Sequence, residues 1–283
     1  MATVLMFHRV LPEKLIKTPN AYTDFGTLIS QEYLSEILQW LTDNKYKFIK
    51  ISDIINYVNV DKILALTFDD GYADNFHYAY PILKKYNATA TFFPLVSNSL
   101  ENCVLPLDTY YQCVDELDLN ENERRNYIKG DIKNKFYWAE PQIQRDMLKT
   151  LFNNLPKESR VDYMTVEQLI ELSNNNFEIG SHGVSHSLLI ADYMTEEKII
   201  SEMKNSKKWL ESVIKKAVIA YCFPAGLYNY DMIKLAKKIG YKSVCLITKK
   251  DNIKPVLPAY TRFFVKPNSL DELKVQLNIL NFN

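Results

Sequence analysis

The chain carries no excess charge of either sign: Lys and Arg together number 34, and so do Asp and Glu. That balance argues against a nucleic-acid binder, whose footprint would be basic. The four cysteines, Cys103, Cys113, Cys222 and Cys245, form no Cys-x-x-Cys pair. Cys222 and Cys245 lie in apolar, strand-like runs, so buried free thiols in a reducing compartment are expected. No basic N-terminal region leads into an apolar core with a small-residue cleavage site, and no apolar run is long enough for a transmembrane span. A cytoplasmic location is therefore expected if the chain is full length. No stretch is rich in Gly or Ser, as a flexible linker would be, and no sequence period repeats. The 283 residues read as one domain, 1–283, with a substantial core. Histidine is also scarce, with four in the whole chain.

What is present centres on Ile63-Leu64-Ala65-Leu66-Thr67-Phe68-Asp69-Asp70-Gly71-Tyr72. A continuous apolar run reads as a buried strand of a parallel sheet. Two carboxylates at its end have left the core, and their mutual repulsion calls for a nearby cation. Gly71 permits a turn there. The bland reading is a strand end with two solvated aspartates capping the next helix. About a hundred residues on, Phe177-Glu178-Ile179-Gly180-Ser181-His182-Gly183-Val184-Ser185-His186 repeats the pattern with two of the four histidines. Histidines four apart can grip one ion, or can both be solvated loop residues. Asp70, His182 and His186 together supply three ligands of metal-site type and leave Asp69 over as a base. His8 follows the first apolar run, Val4-Leu5-Met6-Phe7, and so emerges at the same end of a parallel sheet. It is either a site residue or a structural histidine under a loop.

Thr67-Phe68-Asp69-Asp70-Gly71-Tyr72 followed by Ser181-His182-Gly183-Val184-Ser185-His186 resembles the polysaccharide deacetylase family, the NodB-homology domain of carbohydrate esterase family four. Tyr221-Cys222-Phe223-Pro224-Ala225-Gly226 is similar to the family's third motif, and the order agrees over roughly residues 1–265. The resemblance implies an α/β fold, a distorted (β/α)7 barrel with a helical insertion after the third strand. It implies metal-assisted N-deacetylation of an amino sugar, with Asp69 as base. One divalent ion, expected to be zinc, would sit on Asp70, His182 and His186. The backbone N–H of Ala225 would face the oxyanion, and Tyr72, Pro224, Ala225 and Arg262 are the substrate-binding candidates. A cytoplasmic enzyme would meet a nucleotide- or lipid-linked sugar. The same machinery would serve a deformylase or other amidohydrolase on a non-polymeric substrate, and its inactive form would be a sugar-binding barrel.

Two departures stand out. The family arginine that orients the catalytic aspartate matches Cys222, which cannot do that work. No histidine follows His186, so the family's late Leu-x-His acid has no counterpart. Phe7-His8 resembles the variant with an aromatic-His on the first strand, which implies His8 as general acid. Arg262 either orients a site carboxylate or pairs with one structurally.

Between these motifs, helical spacing of Leu34, Ile37, Leu38 and Leu41 predicts a helix from the cap Ser30 to about Asn44. A helix from Asn75 to Tyr86 carries Pro81 within it or near its start. Residues 97–163 form the insertion, with helical pieces over Tyr110–Leu117, Glu121–Ile128 and Gln142–Asn153. Its aromatics either stack on a sugar ring as a lid or form the core of a small helical subdomain. Its basic excess, Lys133 included, either meets a phosphate or is a solvated face. Thr165 and Thr195 cap the next helices, and Gly240 stops a later one.

Overall fold

The computed structural model describes residues 2–57, 59–101, 103–152, 154–157, 159–247, 256–266 and 270–281. The parallel core strands are β1 (Thr3–Phe7), β2 (Ile63–Asp70), β3 (Thr91–Pro94), β4 (Glu178–Ile179), β5 (Ala220–Cys222), β6 (Ser243–Leu246), β7 (Ala259–Thr261) and β8 (Phe263–Phe264). One sheet runs β8-β1-β2-β3-β4 and a second runs β7-β6-β5. They join at two seams. At one, Ser181 and Tyr221 form a parallel bridge, and the Ser181 N–H donates to the Ala220 carbonyl at 3.0 Å. At the other, β7 and β8 are one extended stretch broken only at Arg262, whose first half pairs with β6 and second half with β1. The result is a seven-stave parallel ring, as the motifs imply. A parallel sheet needs helical crossovers, which the chain supplies between successive strands from β1 to β6.

β2 shows how the sequence sets the two faces of the ring. Leu64, Leu66 and Phe68 face the large core shared with the helices, whereas Ile63 and Ala65 face a second cluster with Val4, Phe93, Ala220, Cys222 and Cys245 inside the ring. Period two therefore carries Thr67 and Asp69 into the lumen. On the outside, Phe7, Phe68 and Phe92 stack across three strands with ring centroids 5.1 Å apart at each step.

The helices begin where their caps predict. The Ser30 hydroxyl accepts from the Tyr33 N–H at 3.0 Å, opening α1 (Gln31–Asp43), and Leu34, Ile37, Leu38 and Leu41 are fully buried. Thr165 and Thr195 cap Val166–Asn174 and Glu196–Ile214, and Gly240 ends Tyr230–Ile239 in a left-handed turn with φ 102°. The stretch expected as one helix over 75–86 is instead a π-helical turn, Asn75–Ala79, followed by α2 (Tyr80–Lys85). Pro81 has no N–H and its ring would clash with a carbonyl four residues back, so the wider turn precedes it.

The insertion holds α3 (Pro106–Val114), α4 (Glu121–Lys129), α5 (Asp131–Trp138) and α6 (Pro141–Leu151). The sequence pattern missed α5, in which Lys133, Asn134 and Lys135 separate Ile132 from the aromatic run Phe136-Tyr137-Trp138. Asn153, the expected end of the last of these helices, lies outside the described residues. The insertion's aromatics form a core of their own, and two of them also reach the cavity. Tyr110, Phe136 and Phe152 form a core with Ala21, Tyr22, Tyr72 and Leu95, while Tyr111 and Tyr137 reach the mouth of the ring. Among the described residues no helix is long and apolar enough to cross a membrane.

At the seam between ring and insertion, Asp108 is 1% exposed and accepts from the hydroxyls of Tyr22 at 2.6 Å, Tyr72 at 3.0 Å and Tyr163. Burial outweighs these donors and pushes the carboxyl up to about 6. The folded state therefore binds the Asp108 proton more tightly than the unfolded chain does. Stability from this group falls as pH rises from about 4 to 6, by about 3 kcal/mol. Asp108→Asn should remove that slope, because an amide does not titrate. Melting temperatures of the two proteins across pH 4–7 check this, and parallel curves would contradict it.

Candidate active site

All core strands run the same way, so their C-terminal ends share one mouth. Phe7 of β1 is in register with Phe68 of β2, and one residue beyond that pair stand His8 and Asp69. Asp70 ends β2 in a left-handed conformation, φ 68°, and the glycine after it continues the turn at φ 77°. A Cβ on Gly71 would meet Pro94 Cα and Cβ at 3.0 Å, which explains the residue at that position. His186 (φ 60°) and Ala225 (φ 55°) are left-handed too. A non-glycine residue in that region costs free energy, and three of the nine among the described residues stand at this mouth.

The structure brings Asp70, His182 and His186 together. Asp70 Oδ1 is buried without a hydrogen-bond partner and lies 3.4 Å from His182 Nε2 and 3.6 Å from His186 Nε2. His182 Nδ1 sits 2.9 Å from the Cys222 carbonyl oxygen. A carbonyl only accepts, so Nδ1 carries a proton and Nε2 is the nitrogen turned to Asp70, able to ligate an ion once it is deprotonated. Burial pushes the His186 imidazole down to about 4 despite the nearby Asp70 carboxylate, so it is neutral near pH 7, whereas burial of His182 is outweighed by Cys222 and Asp70, which hold that imidazole above its ordinary range. An orphaned carboxylate oxygen faced by two basic nitrogens is a donor set that fits a divalent ion such as zinc. The histidine loop is held from behind by Glu202. Its carboxylate accepts from the Val184 N–H at 2.7 Å, the Ser185 N–H at 3.0 Å and the Ser185 hydroxyl at 2.6 Å. Glu202 carries no sequence signal beyond being an acid on a helix, and sequence reasoning missed it.

Asp69 points into the lumen and is 2% exposed. Arg262 grips it bidentately, with guanidinium nitrogens 2.7 Å and 2.8 Å from the two carboxylate oxygens. Burial alone would raise the Asp69 pKa; the Arg262 charge overrides it and holds the carboxyl below its ordinary range. Cys222 faces inward from the end of β5, and its small side chain leaves room for this guanidinium, 2.9 Å from Sγ. The arginine missing from the third motif thus reaches the same carboxylate from the break between β7 and β8. Both roles offered for Arg262 put it on a carboxylate, and that carboxylate is Asp69.

The other candidates fall as follows. His8 lines the mouth with a buried, unpartnered Nδ1, and its backbone carbonyl accepts from Asn75 Nδ2 at 2.7 Å. Burial lowers its pKa more than Asp70 and Asp69 raise it. Ala225 lines the mouth. Tyr72 lines it with its ring, while its hydroxyl is taken by Asp108. Pro224, expected among the substrate contacts, is buried and does not line it, because the turn presents Ala225 and Gly226 instead. The mouth opens into a cavity of about 390 Å³. Tyr22, Phe25, Tyr111, Lys133 and Tyr137 also line it, none of them singled out by a motif.

A seven-stave parallel ring with an Asp–His–His cluster and a clamped aspartate at its mouth is the architecture of the NodB-homology barrels. The chain belongs to the polysaccharide deacetylase family, whose model matches residues 57–244. It is similar to the Bacillus subtilis (strain 168) protein YxkH, 24% identical over 244 residues, 84% of this chain and 62% of that one. It is also similar to the poly-beta-1,6-N-acetyl-D-glucosamine N-deacetylase of Staphylococcus aureus (strain MRSA252), 23% identical over 76% of this chain and 59% of that one. The chain thus spans about three fifths of the length of these curated relatives. Among solved structures it resembles the Streptococcus pyogenes deacetylase PplD in complex with acetate. The TM-score is 0.65 at 20% identity, over 97% of this chain and 96% of that one.

Proposed function

We propose that this protein is a metal-dependent N-deacetylase that hydrolyses the acetamide of an N-acetylated amino sugar, in a surface glycan or its nucleotide- or lipid-linked precursor. The observation that carries the reading is Asp70 Oδ1, faced by two imidazole nitrogens while Asp69 is held ionised beside it. Asp70, His182 and His186 would hold one divalent ion, which when bound supplies Lewis acidity to the attacking water and the amide oxygen. The family membership and the activity in the S. aureus relative's name support the substrate class.

The chain's own residues do the rest. Asp69, kept ionised by Arg262, takes the proton from the attacking water. The Ala225 N–H would stabilise the developing oxyanion. His8 gives the leaving amine its proton. Since burial lowers its pKa, His8 takes up the proton that Asp69 has removed from the attacking water before it passes that proton to the amine, so base and acid act in sequence. His8→Ala should lower kcat by about a hundredfold or more with little change in KM. A near-wild-type rate would return His8 to a structural role. The function itself is tested by mass spectrometry of N-acetylglucosamine oligomers and nucleotide-linked N-acetylglucosamine after incubation, with and without chelator. A loss of one acetyl mass that chelator abolishes is the expected result, and unchanged masses in both arms would sink the reading.

A further inference from the structure

The cavity holds one charge that nothing in the proposed chemistry uses. Lys133, from α5, is only 6% exposed and lines the same mouth as Asp70 and His186. Among the described residues no carboxylate pairs with it. Its Nζ lies 4.0 Å from the centre of the Tyr137 ring and 4.6 Å from that of Phe25, so its neighbours are aromatic faces. Burial brings its pKa down to about 8, which leaves it mostly charged at neutral pH. Two ring faces compensate a buried ammonium only in part. The Tyr111 hydroxyl, in the same wall, is also buried and has no hydrogen-bond partner. Its ring packs on Phe25 as well, at a centroid distance of 6.2 Å. One ammonium and one hydroxyl, both desolvated and both unmet, therefore adjoin a single ring.

The remaining charges in the cavity point the same way. Asp69 is neutralised by Arg262. Asp70 is the residue that would carry the ion. With a divalent ion there, positive charge exceeds negative charge in the cavity, and Lys133 adds to the excess. A neutral sugar would leave that ammonium unpaired when it displaced water.

The geometry points to an anion subsite formed by Lys133 and Tyr111, which takes a phosphate or carboxylate carried by the amino sugar. This rests on the N-deacetylase reading for the identity of the sugar, and it narrows the substrate class to acidic or phosphorylated N-acetylated sugars. The Lys133 ammonium and the Tyr111 O–H donate to the anion's oxygens, and the Phe25 and Tyr137 rings exclude water from the pair.

The test is calorimetric binding to zinc-loaded protein of N-acetylglucosamine 1-phosphate and N-acetylmuramic acid, each against N-acetylglucosamine. The wild-type protein should bind at least one acidic sugar roughly tenfold more tightly than the neutral one, as expected for charged hydrogen bonds. The phosphate and carboxylate arms identify which anion the subsite takes. Lys133→Met should collapse the preference to under about threefold, Lys133→Arg should keep it, and Tyr111→Phe should reduce it in part. Because removing an unpaired buried charge relieves desolvation, Lys133→Met should melt at or above the wild-type temperature. No preference in the wild-type protein, a preference that survives Lys133→Met, or a marked loss of melting temperature would each overturn the subsite. Acetate release is read separately. A Lys133-dependent preference without deacetylation would sink the deacetylase reading and leave the subsite standing, and deacetylation without the preference would do the reverse.

Discussion

Asp69→Asn should lower turnover by about a thousandfold while the protein keeps its metal. The amide cannot take a proton from water, whereas Asp70, His182 and His186 are untouched. The substitution also places an amide nitrogen against one arm of a buried guanidinium. Breaking a buried ion pair by changing one partner costs about 3–5 kcal/mol, so the variant should melt clearly below the wild type. Acetate release, zinc content and a melting curve on one preparation separate these effects. Activity comparable to wild type would remove Asp69 as the base. Arg262→Gln extends the prediction to pH. With its cationic clamp gone, Asp69 is left with burial and its pKa rises. The base works only when ionised, so the acidic limb of kcat/KM should move to higher pH. An unmoved limb would mean that Arg262 serves the fold alone.

His182→Ala should strip the ion. Two ligands remain of three, and because loss of even an outer contact weakens metal sites 10–100-fold, loss of a direct ligand should cost roughly 100-fold or more. His182 is also 1% exposed and bonded to the Cys222 carbonyl, so its removal disturbs the fold as well. His186 is more exposed and makes the cleaner variant. His186→Ala should lose zinc on dialysis with a melting curve of the apo-protein close to wild type. Wild-type zinc content in both variants would dissolve the ligand set.

Much of the site is local in the sequence because strand ends are local. An apolar run that stops at Asp69-Asp70, or at Ser181-His182, states where the chain leaves the core, and the parallel arrangement puts those exits on one mouth. Helix starts were legible for the same reason: Ser30, Thr165 and Thr195 each bond an N–H three residues ahead. The failures are non-local. Cys222 at the motif arginine position says that a cation is missing, but not that Arg262, 40 residues on, replaces it. Lys133 looked like one basic residue among many until α5 folded it against Phe25 and Tyr137. The π turn before Pro81 was hidden because the apolar spacing there fits an ordinary helix equally well.

The sequence by itself determined most of the order of strands and helices, the capped starts at Ser30, Thr165 and Thr195, and the residue types gathered at the mouth, since each follows from contacts a few residues long. Only the tertiary structure decided which cation holds Asp69, which face of the insertion meets the cavity, and that Tyr72 turns its hydroxyl to Asp108. Those depend on side chains far apart in the chain competing for one buried, low-dielectric space, and volume and charge decide that competition only once the ring has closed.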